Sequence, residues 1–154
     1  MRQGVRLALD WGRVRIGVAA CDREAILCFP VETIDARRAP IARLRELVRE
    51  YQPIELILGM PKTLGGAEGP AAQQMREVAV RVKSNLADLP LRLVDERLST
   101  VSASTLLRQA GRDSRSQRSV IDQAAAVAIL EQALEYERGT GLGPGELFSE
   151  GGLV

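Results

Sequence analysis

Near residue 35 the hydrophobic pattern of this 154-residue chain changes period, from 2 to about 3.6 residues. That change limits the fold more than any other feature. Before it, Val5-Arg6-Leu7-Ala8-Leu9-Asp10 alternates like a strand, Arg15 to Cys21 reads as a second strand and Ala25 to Ile34 as a third. The links, Trp11–Val14 and Asp22–Glu24, are too short for a crossover, so the three must form an antiparallel meander. Pro30 places the third strand at an edge or a bulge. After the change, Ile41, Leu44, Leu47, Val48 and Tyr51 recur at helical spacing, with Pro40 in the first turn and Pro53 as the stop. Ile54 to Leu58 then reads as a buried parallel strand ending at Gly59. Residues 60–70, rich in Gly and Pro, read as a loop. Met75, Val78, Ala79, Val82 and Leu86 mark a second helix, and Leu91 to Asp95 a further strand. Helical sequence returns at Ser99–Ala110. A polar Arg/Ser link covers Gly111 to Ser119, and a last helix is expected from about Val120 to Glu137.

The order β-β-β-α-β-α-β-α-α predicts an α/β fold. A five-stranded mixed sheet, the meander first and parallel strands after it, carries helices on both faces. This is the order of the ribonuclease H-like fold and of the related actin-like halves. At this length one domain is expected, over residues 1–138. Residues 139–154 hold six Gly and read as a flexible tail. No apolar run is long enough to span a membrane, and Met1-Arg2-Gln3-Gly4 opens no secretory signal, so we expect a cytoplasmic protein.

The chain has no His, which excludes Ser-His-Asp triads, Cys-His pairs and zinc sites built on His. Cys21 and Cys28 have neither CxxC nor zinc spacing and read as small apolar residues in a reducing compartment. Carboxylates and arginines remain. Asp10 ends the first strand, Glu96 follows the strand at 91–95, and Asp122 falls in the expected first turn of the last helix. Gathered by folding, three such acids can hold a hard cation, Mg²⁺ or Mn²⁺, which supports phosphodiester hydrolysis without His. By alternation Glu96, not Asp95, shares a face with Val94 and Arg92. One strand between the first strand and that at 91–95 would set the two backbones about 10 Å apart, a gap that metal between carboxylates can bridge. Each acid also has a plainer reading. Asp10 can be a strand-end turn acid and Glu96 a surface partner of Arg97. Ser119-Val120-Ile121-Asp122 fits a capping box.

The near-neutral net charge of +1 conceals polarity. Segment 97–118 carries Arg97, Arg108, Arg112, Arg115 and Arg118 against Asp113, whereas 131–154 carries five Glu against Arg138. Arg13 and Arg15 flank the first turn. Arg forks suit phosphate backbones, although a solvated face would look the same. Five aromatics are too few for a base-stacking platform, so nucleic acid would be read through backbone and shape. Lys62-Thr63 lacks the preceding GxxxxG of a Walker loop, and the Gly run 141–145 has no strand before it.

Four blocks together are specific: Leu9-Asp10-Trp11-Gly12-Arg13-Val14-Arg15-Ile16-Gly17-Val18-Ala19; Gly59-Met60-Pro61 with Gly65-Gly66-Ala67-Glu68-Gly69; Asp95-Glu96-Arg97-Leu98-Ser99-Thr100; and Ile121-Asp122-Gln123-Ala124-Ala125-Ala126 with Ile129-Leu130. On them the chain resembles the YqgF family of Holliday-junction-resolvase-like proteins, also described as pre-16S rRNA nucleases. The resemblance covers residues 5–137. It implies a ribonuclease H-like, divalent-metal nuclease that trims the 5′ end of the 16S rRNA precursor in the bacterial cytoplasm. The family's acidic triad would fall on Asp10, Glu96 and Asp122 as catalytic residues and metal ligands. One departure is that family members often carry Lys before the last acid, where this chain has Arg115, Gln117 and Arg118.

The resulting expectation is an Mg²⁺- or Mn²⁺-dependent nuclease on structured RNA. Arg13, Arg15, Arg97, Arg115 and Arg118 would contact nucleic acid, and the chain would be a monomer or weak homodimer without membrane contact. The rivals are a Holliday junction resolvase on branched DNA and a non-catalytic RNA-binding factor in ribosome assembly or transcription. An actin-like ATP site is disfavoured, because 154 residues hold no second actin-like half.

Overall fold

A computed structural model of the chain describes residues 1–61, 69–95 and 114–149, with the backbone alone for 114–119. The meander consists of β1 (Arg6–Trp11), β2 (Arg15–Cys21) and β3 (Cys28–Asp35). Then follow α1 (Pro40–Tyr51), β4 (Glu55–Met60), α2 (Pro70–Asn85), β5 (Leu91–Asp95), α3 (Ser114–Thr140) and β6 (Glu146–Phe148). The sheet order is β3-β2-β1-β4-β5-β6, with β1, β4 and β5 parallel and the other pairs antiparallel. β4 is the one strand between β1 and β5, as the carboxylate argument requires. The helical sequence at 99–110 lies outside the described residues.

Pro30 proves to be both things it could be. β3 is an edge strand, and its register against β2 slips beside Pro30, between Val18 and Ala19. A residue without an N–H is tolerated where the ladder is already interrupted. α1 ends on Gln52, whose N–H still closes a helical bond to the Val48 carbonyl and whose left-handed φ of 47° then turns the chain out of the helix, while Pro53 prevents another turn.

Alternation along the strands divides the core in two. Leu7, Leu9, Leu56, Leu58, Leu91 and Leu93 face α1 and α2, packing on Leu44, Leu47, Ala79 and Val82. The other face turns Ala8, Ala19, Cys21, Ile57 and Val94 toward α3, which answers with Ala126, Ile129, Leu130, Ala133 and Leu134 at helical spacing. Burying Ile129 or Leu130 contributes about 1.5–3 kcal/mol each. On β2 this face is Gly17, Ala19 and Cys21, so the helix can approach closely.

Two expectations need correction. The sheet has six strands, not five. The sixth comes from Glu146–Phe148, inside the segment whose Gly content suggested no regular structure. Gly145 enters it at φ 59°, where a β-carbon would strike the Leu93 carbonyl, and Phe148 pairs with Leu91 and packs on the core. Three residues are too few to show a period, yet they cover the β5 edge. The last helix also begins earlier, at Ser114 instead of about Val120. Asp122 therefore lies well inside α3, and the Ser119–Asp122 capping box does not exist. Ser, Arg and Gln at 114–119 carry no apolar period, which is why the pattern placed a link there.

Both cysteines are free and are register partners across β2 and β3. Burial raises the Cys21 thiol and pushes that of Cys28 up to about 12, so both stay protonated at neutral pH. Among the described residues no helix is long and apolar enough to cross a membrane.

Candidate nuclease site

Asp10 is half-buried near the end of β1, on the α3 face with Ala8. Its neighbour Trp11 turns to the other face and packs against the α1/α2 core, away from Asp10. The register partner of Asp10 on β2 is Gly17. A β-carbon at Gly17 would collide with the backbone carbonyl of Asp122. The α3 backbone thus rests directly on the strand residue beside Asp10, and two acids 112 positions apart in sequence become neighbours. A glycine inside a strand signals such close approach, and Gly17 in Arg15-Ile16-Gly17 is the sequence clue to it. Gln123 fixes the same part of α3 by donating from Nε2 to Thr33 Oγ1 on β3, at 3.0 Å.

Arg15 begins β2 and donates from Nε to Asp122 Oδ2 at 2.9 Å. The Asp122 side chain keeps 20% exposure and that of Arg15 keeps 37%. Burial raises the Asp122 carboxyl above its ordinary range, and Arg15 only partly opposes the shift. The acid therefore sits where its own charge is disfavoured and further cationic charge is welcome. Arg13 is exposed at the tip of the β1–β2 turn. Of the residues expected at the site, the structure brings Asp10, Asp122 and Arg15 together and leaves Arg13 beside them in solvent. Glu96 and Arg97 lie outside the described residues, as do the side chains of Arg115 and Arg118. Among the described residues no group of three or more metal-binding side chains gathers. The donors of Asp10 and Asp122 are carboxylate oxygens, a set that fits a hard cation.

A second ionic cluster occupies the other end of the same face. Arg6 and Glu137 are buried at 0% and 3% exposure and pair at 2.9 Å. Arg2 reaches Glu137 at 2.6 Å and Glu55 at 3.0 Å, and Arg92 reaches Glu55 at 2.9 Å. The sequence counted Glu137 merely among the acids of 131–154.

A family model described as "RuvX: Holliday junction resolvase" matches residues 4–136. Proteins carrying the name "Putative pre-16S rRNA nuclease" are similar over nearly the whole chain. That of Streptomyces coelicolor is 55% identical over 95% of this chain and 89% of its own length. That of Cutibacterium acnes is 54% identical over 88% and 84%. In structure the chain is similar to Thermus thermophilus RuvC solved with a Holliday junction substrate. The TM-score is 0.58 at 16% identity, over 92% of this chain and 99% of that one. A second RuvC structure from the same organism gives 0.54. At such identity the likeness concerns the fold, which is RuvC-like and hence ribonuclease H-like.

Proposed function

The chain belongs to the RuvX (YqgF) family, and from that premise we propose that it is a divalent-metal-dependent nuclease acting on structured precursor rRNA, at the 5′ end of the 16S segment, in the bacterial cytoplasm. The observation that carries the reading is the seating of α3 on Gly17, which sets Asp122 beside Asp10 with Arg15 between helix and sheet.

Asp10 and Asp122, with Glu96 as third ligand, would hold Mg²⁺ or Mn²⁺. When bound, such a cation activates the attacking water and stabilises the leaving oxygen. The chain's own groups do the positioning. Arg15 holds one oxygen of Asp122 and so sets the direction of the carboxylate. Being half-exposed, Arg15 can also present its remaining donors to a phosphate. Arg13 extends that contact at the turn, and Arg97, Arg115 and Arg118 are assigned the same task. Branched DNA is the second reading, favoured by the description of the matching family. Trimming an RNA end needs one protomer, whereas symmetric junction cutting needs two.

The test compares wild-type protein with Asp10→Asn on a precursor 16S 5′ fragment and on a four-way DNA junction, in Mg²⁺, Mn²⁺ or chelator. We expect metal-dependent cleavage of the RNA, reduced at least about 10³-fold in the variant, with a melting temperature within a few degrees of wild type. Cleavage by the variant at the wild-type rate would overturn the mechanism. Cleavage of the junction alone would transfer the site to branched DNA.

A further inference from the structure

We propose that the β3–α1 turn is part of the nucleic-acid surface, with Arg37 and Arg38 forming a phosphate-binding strip that continues from Arg13 away from the acids. The strip rests on the reading that the substrate is a nucleic acid.

Four observations place it. The Ala36 N–H donates to the Val14 carbonyl at 2.8 Å, locking the β3–α1 turn against the β1–β2 turn. Arg15 and Asp35 are register partners across β2 and β3, so this turn stands at the end of the sheet where Asp10 and Asp122 meet. β3 lies two strands from β1, about 10 Å away, within reach of one backbone crossing both turns. Finally, the Arg37 and Arg38 side chains are 66% and 87% exposed, and Arg13 is exposed beside them.

Asp35 is the one acid that contacts this strip among the described residues. It accepts from the Arg37 backbone N–H at 2.9 Å and from Arg37 Nε at 3.1 Å, and Arg38 Nε stands 3.8 Å away. It neutralises one charge and, also accepting from Arg37 Nη2 at 3.4 Å, braces the Nε/Nη2 edge of that guanidinium, so Nη1 takes no part in the contact. Three arginines against one carboxylate remain net cationic, on a surface too exposed to need the charge for stability. A planar fork held at one edge is suited to a phosphate oxygen at the other.

Salt dependence separates a binding strip from a solvated face, because each phosphate neutralised releases counterions and steepens the dependence of log K on log salt. Full-length protein in chelator, where cleavage is suppressed, is titrated with a labelled RNA stem-loop and with a DNA duplex of equal length over a salt series. We expect Arg37→Gln/Arg38→Gln to reduce the magnitude of the slope by about 2 and Arg38→Gln alone by about 1. Asp35→Asn keeps an acceptor for the turn and should tighten binding. Arg23→Gln, in the β2–β3 turn at the other end of the sheet, should change nothing. An unchanged slope in Arg38→Gln, whose exposure removes any folding objection, would overturn the proposal, as would a wild-type protein that binds neither probe. Loss on both probes supports backbone contact regardless of sugar, and loss on RNA alone supports a strip matched to RNA shape. If the wild-type protein binds with these slopes but never cleaves, the nuclease reading fails and the strip stands.

Discussion

The two ends of the α3-covered sheet face carry similar ingredients and opposite electrostatics. At one end Glu137 is sealed, and at the other Asp122 is open. Burial pushes the Glu137 carboxyl up, but hydrogen bonds from Arg2 and the charge of Arg6 outweigh it, and the group titrates below its ordinary range. At Asp122 burial prevails over the single pair with Arg15, and the group titrates above its range. Burial of charge alone therefore does not mark a site. An incompletely compensated acid with access to solvent is the better candidate for one, because such a group gains from a cation that arrives later.

The largest effect is expected at Glu137. Glu137→Gln leaves the Arg6 guanidinium, already without a partner for Nε, buried beside a neutral amide. We expect a loss of about 3 kcal/mol and a melting temperature lower by roughly 6–12 °C in thermal denaturation. Cleavage well below that temperature should persist. The sign of the pH dependence follows from the lowered pKa. The stabilisation by Glu137 is complete above the ordinary carboxylate pKa near 4.3 and disappears as pH falls through the folded value. Equal stability of wild type and variant at pH 7 would show the sealed cluster to be inert.

Gly17→Ala tests the other end. A methyl group there must lift α3 from β2, at an expected cost of about 1–3 kcal/mol, and it moves Asp122 away from Asp10. Cleavage should fall far more than stability, measured below the melting transition. Parallel loss of both would reduce Gly17 to a packing residue. The smallest effect is expected from Arg15→Gln in metal-free protein. Without its cation the Asp122 carboxyl should titrate still higher, read by carboxyl NMR, while melting changes by no more than about 1 kcal/mol. A lower titration point would refute the assigned balance between burial and pairing.

β2 and β5 appear with the bounds that alternation suggests, because a strand with one apolar face repeats every second residue. The start of α3 did not, because 114–119 bears no apolar stripe. A helix can propagate through such residues once its later turns are anchored on the sheet. β6 did not, because three residues carry no period and their support comes from the β5 edge. Asp10 was readable as an acid near a strand end, Asp122 was expected at a helix start but lies well inside α3, and Glu96 lies outside the described residues. The capping explanation for Asp122 fell only when the helix was seen to start at Ser114. The pairing of Arg15 with Asp122 and the burial of Arg6 and Glu137 left no trace in local pattern, since each joins residues more than a hundred positions apart.

Sequence alone determined the chemistry open to this chain. Lacking imidazole, it is left mainly with carboxylates and guanidinium groups, and its change of period commits it to a mixed sheet under helices. Tertiary structure decided which charges are spent on holding the molecule together and which stay available. That choice depends on the local dielectric and the number of partners, and these exist only after distant segments have packed.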